Sequence, residues 1–289
     1  MKIIYPFFII LYYNFIVESI GENMYKDLIL SRKSVRTFRP AQIDSMTYDE
    51  IYKVLDEINR KYENVMFKLF NANEFNLSSN VTQDETLYIV GKVKKVDNFE
   101  VLFGYCINCI MLELTRLNLS SVFMAGTIDR KRFDDLFSFG DIMPGVLAVG
   151  YKANYQTKKE RILCRFLHSE KKLGLSDCVM NTSLKPYVFK NNQLKDILET
   201  SLNYASARNY CPVRIIIDNN KAHLFLKHNK ALSSELGDIQ KVDLGIYLYN
   251  IEVLLEESNF LFSEEHYNVS DIDSLNYVMT IQLKGDSLF

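Results

Sequence analysis

The chain has no tryptophan, only five prolines and eleven glycines among 289 residues, and no excess of either charge. With 34 basic against 36 acidic residues, no field of one sign is present to attract a polyanion, which argues against nucleic-acid binding. Five cysteines at scattered positions favour a reduced compartment over a disulfide framework. What the chain does have is 48% hydrophobic residues, enough for a large core.

Common catalytic and metal-binding motifs are also missing from the sequence. There is no glycine-rich dinucleotide or Walker loop, no H-E-x-x-H and no G-x-S-x-G. The four histidines are not spaced as metal ligands, and the single C-x-x-C, Cys106 and Cys109, falls on the apolar face of a predicted helix. We therefore expect no metal site, and no candidate for a catalytic acid or base stands out.

The first 23 residues differ from the rest of the chain. Lys2 precedes an almost uncharged apolar run over residues 3–17, which is short for a membrane-spanning helix and suits the core of a signal peptide. The segment is either such a signal or anchor, or an extension upstream of a folded protein that begins at Met24. The first hypothesis implies a secreted or membrane-anchored protein and the second a cytoplasmic one, with membrane contact expected only if residues 1–23 are retained.

Hydrophobic periodicity after Met24 predicts a mixed α+β chain. The predicted helices cover residues 24–30, 47–62 (with Thr47 as N-cap), 99–117, 129–137, 158–172, 191–202 and 241–258. The predicted strands cover residues 65–70, 87–93, 121–124, 145–152, 213–218, 221–228 and 277–283, with a hairpin turn at Asn219-Asn220. The acidic stretch over residues 256–273 is interpreted as a solvated face or loop. Each half contains a strand pair followed by a long apolar helix with an early glycine, Gly104 or Gly245, which suggests a duplicated half-unit.

A dense basic stretch over residues 31–38 is the strongest local feature. It contains Arg32, Lys33 and Arg36 with two hydroxyls, Ser31 and Ser34. Composition alone favours a solvated turn, whereas the donor geometry of arginine also suits phosphate oxygens.

The stretch MYKDLILSRKSVRTF (24–38) resembles the opening of the nitroreductase-like flavoproteins, with their R-x-S-x-R segment. The resemblance continues in the helix 103–119, the loop at 121–127, the "GY" strand 145–152, the S-x-x-N segment within 205–214 and the D-x-G helix 242–258. The order of these segments carries more weight than any one of them. Since R-x-S-x-R falls in the first half and S-x-x-N in the second, the chain is similar to the single-chain variety in which two half-units mimic the family's homodimer.

The resemblance implies an α+β fold with a central, mostly antiparallel sheet wrapped by helices. One domain would span 24–289, with pseudo-twofold half-units of about 24–170 and 171–289. It implies one FMN site per chain, with phosphate held by Arg32, Ser34 and Arg36. Arg161 or Arg165, in the cationic segment after the GY strand, would add a cation. The remaining cofactor contacts implied by the motifs are Ala125, Gly126, Ser206, Asn209 and Cys211.

The implied activity is hydride transfer from NADH or NADPH through flavin N5 to a small acceptor, such as a nitroaromatic, a quinone or flavin, by a ping-pong mechanism. The protein would be a monomer, as a pseudo-dimer, or a homodimer. The chain departs from the family's Q-P-W at Cys211-Pro212-Val213. That departure keeps open the alternative of a non-catalytic or degenerate flavin-binding protein of the same fold.

Overall fold

The computed structural model describes residues 23–167, 172–234 and 237–284. The first half contains α1 (Met24–Ser31), α2 (Ser45–Lys61), β1 (Val65–Asn71), β2 (Leu87–Val93), α3 (Phe99–Arg116), β3 (Ser120–Met124), α4 (Arg130–Asp134), β4 (Ile142–Gly150) and α5 (Lys158–Phe166). The second half contains α6 (Leu175–Cys178), β5 (Val179–Asn181), α7 (Asn192–Ser201), β6 (Val213–Asp218), β7 (Lys221–Lys227), β8 (Ser233–Ser234), β9 (Gly237–Asp238), α8 (Ile239–Glu257), β10 (Phe262–Glu265) and β11 (Leu275–Leu283).

Helices α3 and α8 form the centre of the molecule, packed against each other. Nearly every residue of α8 is buried, as are most residues of α3. A helix that is apolar on all sides needs neighbours on all sides. Besides packing on each other, these two helices each pack against the sheet of their own half. The α+β prediction is confirmed, but the strands form two main sheets flanking the helix pair rather than one central sheet.

The two main sheets share a strand order. The first runs β1-β2-β4-β3, entirely antiparallel, and the second runs β10-β11-β7-β6 with the short parallel strand β5 added next to β6. In chain order each half therefore contains two strands, a buried helix and two more strands. In both sheets the second of these four strands pairs with the first and the fourth, and the third pairs only with the fourth. The internal duplication stays a prediction, and this shared order supports it.

The helix pair crosses at a reciprocal glycine contact. A Cβ atom placed on Gly104 would lie 2.0 Å from the carbonyl oxygen of Val242, and one on Gly245 would lie 2.1 Å from that of Val101. Only glycine permits two helix backbones to approach this closely. Next to the crossing, Asn108 Nδ2 donates to Asn250 Oδ1 at 2.8 Å inside the buried pair.

Local details agree with the sequence in some places and differ in others. The hairpin between β6 and β7 turns at Asn219, whose φ of 55° is the left-handed conformation that asparagine tolerates. The N-cap of α2 is Asp44 rather than Thr47, because the Asp44 carboxylate accepts the Thr47 backbone N–H at 3.0 Å. The predicted helices over 129–137 and 158–172 are shorter in the structure, where α4 ends at Asp134 and α5 at Phe166.

The acidic stretch predicted to be solvated is partly a strand, and two of its carboxyl groups, Glu256 and Glu264, are half-buried. Glu264 lies on β10, beside the fully buried Glu252 of α8, which also accepts the Tyr105 hydroxyl at 2.8 Å. One turn further along α8, a carboxyl oxygen of Glu256 is buried with no hydrogen-bond partner among the described residues. Burial raises the pKa of Glu256 to about 7, against the opposite effect of the Lys61 charge.

The raised pKa of Glu256 predicts that the free energy of unfolding falls as the pH rises from acidic to neutral. Its pKa in the folded protein lies above the usual value for Glu, so the native state holds a proton that the unfolded chain releases between about pH 4.5 and 7. Stability is therefore lost as pH rises through this window. We expect Glu256→Gln to match the wild-type melting temperature at pH 4.5 and to exceed it at pH 8. Equal pH profiles of the two proteins in thermal unfolding would contradict the assignment.

No helix in the described part of the chain has the length and apolar character needed to cross a bilayer. The hypotheses on residues 1–23 concern a segment that, up to Glu22, lies outside the described residues.

Candidate functional site

Helix α1 belongs to the first half by sequence and packs on both halves, against α3 of the first and against α7 and α8 of the second. At its start, the Tyr25 backbone N–H donates to the Glu257 carboxylate at 2.8 Å. Near its end, the Asn203 side-chain amide donates to the Ile29 carbonyl at 2.7 Å. These contacts place the basic stretch that follows α1, beginning with Arg32, at the junction between the halves.

Arg32 is a buried cation that forms no ion pair with any described residue. Its side chain is only 9% exposed, and its Nη1 atom has no hydrogen-bond partner among the described residues. Desolvation lowers the pKa of the guanidinium to about 10. Burying a charge without a partner costs several kcal/mol in the effective terms seen in proteins, on the order of the total stability of a domain. Such a group is explained if an anion binds there.

A second cation, Lys172, has an exposed side chain whose ammonium group is bonded to the second half beside the basic stretch. Its ammonium donates to the Tyr204 carbonyl at 2.6 Å and lies 6.0 Å from the centre of the Tyr204 ring. Desolvation lowers the pKa of Lys172, and the positive charge of Arg32 lowers it further, while Cys211 and Asp243 act in the opposite direction. Asn203 is bonded to Ile29, three residues before Arg32, and Lys172 is bonded to the next residue, Tyr204. Both cations therefore lie beside the same part of the second half, where an anion would be stabilised by two charge-assisted contacts.

The segment 205–212 forms the other wall of this cluster. The Cys211 backbone N–H donates to Ser206 Oγ at 3.0 Å, and the two side chains lie 3.5 Å apart. Left-handed backbone at Asn209 and Cys211, with φ of 57° and 48°, produces the tight course of the segment. Both carboxylate oxygens of Asp243 on α8 accept the Ala207 N–H at 3.0 Å, which fixes the segment on the central helix. Burial raises the pKa of Asp243.

Ser34 and Arg36 lie further along the basic stretch, in extended backbone. The stretch pairs in parallel with the edge strand β3 through Ser34 and Ser121. The Arg36 backbone N–H donates to the Glu160 carboxylate of α5 at 3.1 Å, and Thr37 Oγ1 donates to the same carboxylate at 2.5 Å. These bonds fix the basic stretch between β3 and α5.

Arg161 is not brought into the cluster of Arg32 and Lys172. It follows Glu160 on α5, but whereas Glu160 points inward, the Arg161 side chain is exposed. The Arg36 guanidinium instead approaches Cys164 of the same helix, with Nη1 4.0 Å from Sγ.

Ala125 and Gly126 follow β3 directly. The Ala125 carbonyl accepts from Arg130 Nη2 at 2.7 Å, which holds the loop in place. A Cβ atom placed on Gly126 would meet nothing within 4 Å, so this glycine faces open space. The position permits close approach of a planar ligand, and its role as the flavin-edge loop stays a prediction from the resemblance.

The two departures from the family's Q-P-W segment are turned into the core. The side chains of Cys211 and Val213 are 3% and 0% exposed. Neither presents a polar group or an aromatic ring at the surface.

Sequence reasoning missed three residues that build this site. Lys172 falls within a predicted helix and was assigned no role from the sequence, although it is the cation that accompanies Arg32. Glu160 and Asp243 were not assigned a role, although they fix the basic stretch and the segment 205–212. A usable signal existed for Asp243, because it is the aspartate of the D-x-G motif.

Comparison with known proteins gives a consistent result. The family model described as "Putative TM nitroreductase" matches residues 24–254. The structure is similar to that of a protein from Thermotoga maritima described as a putative nitroreductase, with a TM-score of 0.53 and 19% identity over 91% of this chain and 94% of that chain. At this identity the similarity establishes the fold alone.

Two shorter nitroreductases match about half of this chain. A nitroreductase family protein from Clostridium difficile is 17% identical over 53% of this chain and 94% of its own, with a TM-score of 0.39. A nitroreductase with bound FMN from Desulfitobacterium hafniense is 12% identical over 47% of this chain and 93% of its own, also with a TM-score of 0.39. No curated protein matches the sequence. Because the family model spans most of the chain, from the basic stretch through the central helix α8, the chain belongs to the nitroreductase family.

Proposed function

We propose that the chain is an FMN-dependent oxidoreductase whose single flavin site is completed by both halves of one chain. The observation that supports this most is the buried Arg32, which has a guanidinium nitrogen without a partner in the described structure and lies near a second cation, Lys172. The pair fits a phosphate group, whose oxygens would accept from both cations. A relative from Desulfitobacterium hafniense contains bound FMN, which is a ligand of this kind.

Residues of both halves would contact different parts of the FMN molecule. Arg32 and Lys172 would neutralise the phosphate, and Ser34 would add a hydroxyl donor from the stretch held by β3. Ser206 and Asn209 would contact the cofactor from the second half, and the loop at Gly126 leaves room for the ring system. Arg36 would support the site from its position beside α5, whereas the exposed Arg161 would contribute only a long-range charge.

When bound, FMN would accept a hydride from NADH or NADPH at N5 and deliver electrons to a small acceptor, such as a nitroaromatic, a quinone or flavin, in a ping-pong cycle. In this scheme the side chains bind and orient, and no side-chain acid or base is required. Purified protein should accordingly be yellow. A colourless protein that does not take up FMN on reconstitution would refute the proposal.

Lys172 gives a specific test of the site. Lys172→Ala is expected to weaken FMN binding about 10-fold, because one charge-assisted contact to the phosphate is removed. Lys195→Ala, on the exposed face of α7, is the matched control and should bind FMN as the wild type does. The measurement is quenching of flavin fluorescence on titration. Equal affinities of the two variants would remove Lys172 from the site.

A second candidate function is a flavin-binding protein without turnover. It is favoured by the buried Cys211 and Val213, which replace the amide and the aromatic wall of the family segment. Anaerobic stopped-flow mixing with NADH and NADPH separates the two functions. Bleaching of the bound flavin supports the oxidoreductase, and an unchanged visible spectrum with either nucleotide supports the binding protein.

The oligomeric state follows from the same proposal. Since α1 carries Arg32 to the second half within one chain, a monomer would have a complete site. Light scattering of the flavin-bound protein combined with flavin quantification should give one FMN per chain. Two FMN per chain would contradict the single site.

A further inference from the structure

Helix α5 presents large apolar side chains to solvent. Ile162 is 67% exposed and Phe166 is 77% exposed, and Tyr155, shortly before the helix, is 58% exposed. Ile162 and Phe166 are four residues apart, so they lie next to each other on one face of the helix. No described residue covers this surface, which we call the outer face of α5.

The polar residues of α5 are sorted by charge between its two faces. The acidic residue Glu160 is buried and is bonded to the Arg36 backbone and to Thr37 on the inner face. At 100° per residue, the cations of the helix fall on either side of the apolar pair. These exposed cations are Lys158, Lys159, Arg161 and Arg165. The outer face therefore combines apolar side chains with positive charge and carries no carboxylate.

We propose that the outer face of α5 is a docking surface for an anionic lipid membrane, on which the protein binds peripherally. A helix with aromatic and aliphatic residues on one face and flanking lysine and arginine is suited to lie in the interface of a bilayer. There the apolar groups enter the acyl boundary and the cations meet lipid phosphates. The long cationic side chains can extend sideways to the headgroups while Ile162 and Phe166 point into the membrane.

Charge complementarity selects this partner over a second copy of the chain. A twofold contact between two outer faces would bring four cations of one copy against the same four of the other, with no carboxylate on either side to offset them. An anionic membrane surface can bind the cations of the outer face and also take up its apolar side chains. The bonds of Glu160 to the basic stretch would then hold the membrane-bound helix at a fixed position relative to the body of the protein.

Vesicle co-sedimentation of the full chain tests the proposal, with vesicles of phosphatidylcholine containing phosphatidylglycerol and vesicles of phosphatidylcholine alone. Ile162→Gln/Phe166→Gln should weaken binding to the anionic vesicles about 10-fold or more, because the inserted apolar area is lost. Lys158→Gln/Lys159→Gln should weaken it about 30-fold at low salt, the factor expected for two surface cations, and high salt should reduce the difference.

The matched control is Met46→Gln/Leu261→Gln, which removes two side chains of similar exposure, 77% and 70%, from other surfaces. All variants retain residues 1–22, so the apolar run in that segment contributes equally to each. The proposal predicts wild-type binding for the control and unchanged thermal unfolding for all three variants. It is overturned if the α5 variants bind anionic vesicles like the control, or if wild-type binding is the same on neutral vesicles. It is also overturned if light scattering shows that Ile162→Gln/Phe166→Gln dissociates an oligomer.

Discussion

Replacing Arg32 with methionine is expected to abolish FMN binding while making the flavin-free protein more stable. The guanidinium is buried, and Nη1 lacks a partner in the described structure, so the flavin-free fold carries the desolvation cost of this charge. Methionine has a similar length and needs no partner, and its presence should raise the free energy of unfolding by roughly 1–3 kcal/mol. The same change leaves the phosphate without its buried arginine, which should weaken FMN binding by about 100-fold or more.

The opposite signs of these two effects are what identify a ligand-binding arginine. A purely structural arginine would lower the stability of the flavin-free protein when removed. Thermal unfolding of flavin-free protein and flavin titration are the two measurements. Lys33→Met, at the exposed neighbouring position, is the control and should change neither. A loss of stability in Arg32→Met together with wild-type FMN affinity would contradict the assignment.

Gly104→Ala is expected to destabilise the whole protein more than other single methyl additions. The new Cβ would lie 2.0 Å from the Val242 carbonyl oxygen, which is backbone and cannot rotate away. The two central helices must separate, and overpacking of this kind costs about 3 kcal/mol or more, a large part of a typical domain's stability. The melting temperature should fall by about 10 °C. Gly126→Ala, where a Cβ has no neighbour within 4 Å, should leave it unchanged.

The reciprocal contact makes the effect of a second substitution predictable. Gly245→Ala meets the Val101 carbonyl at the same crossing, so either substitution forces the same separation of α3 and α8. The double variant should therefore cost clearly less than the sum of the two single variants. Fully additive losses in denaturant unfolding would mean that the two glycines are relieved by independent movements.

Much of the secondary structure was predictable because it depends on local patterns. The buried stripes of α3 and α8 and the asparagine turn between β6 and β7 follow from residue spacing and backbone preference. The division into two sheets did not follow, since strand neighbours depend on contacts remote in sequence. The end of α5 at Phe166 was missed because a cationic stretch remains compatible with a helix until packing ends it.

The candidate site was predictable only where a motif marked it. Arg32 and the segment 205–212 were found through their resemblance to family motifs, and the structure explains their relation by the passage of α1 onto the second half. Lys172 carries no pattern of its own. It becomes recognisable only through its bond to Tyr204 beside the segment that carries Arg32, which is a property of the folded chain.

The way the strands pair also bears on how the chain can be divided. In the described residues, every strand pair joins partners from the same half, and the halves meet through helices and side chains. The peptide connection between residues 167 and 172 thus serves mainly to keep the effective concentration of each half high near the other. Two co-expressed fragments separated at this point should find each other and assemble without a peptide link, as subunits do. The same separation within β2 or β7 would interrupt a sheet and leave fragments that cannot recombine by simple docking.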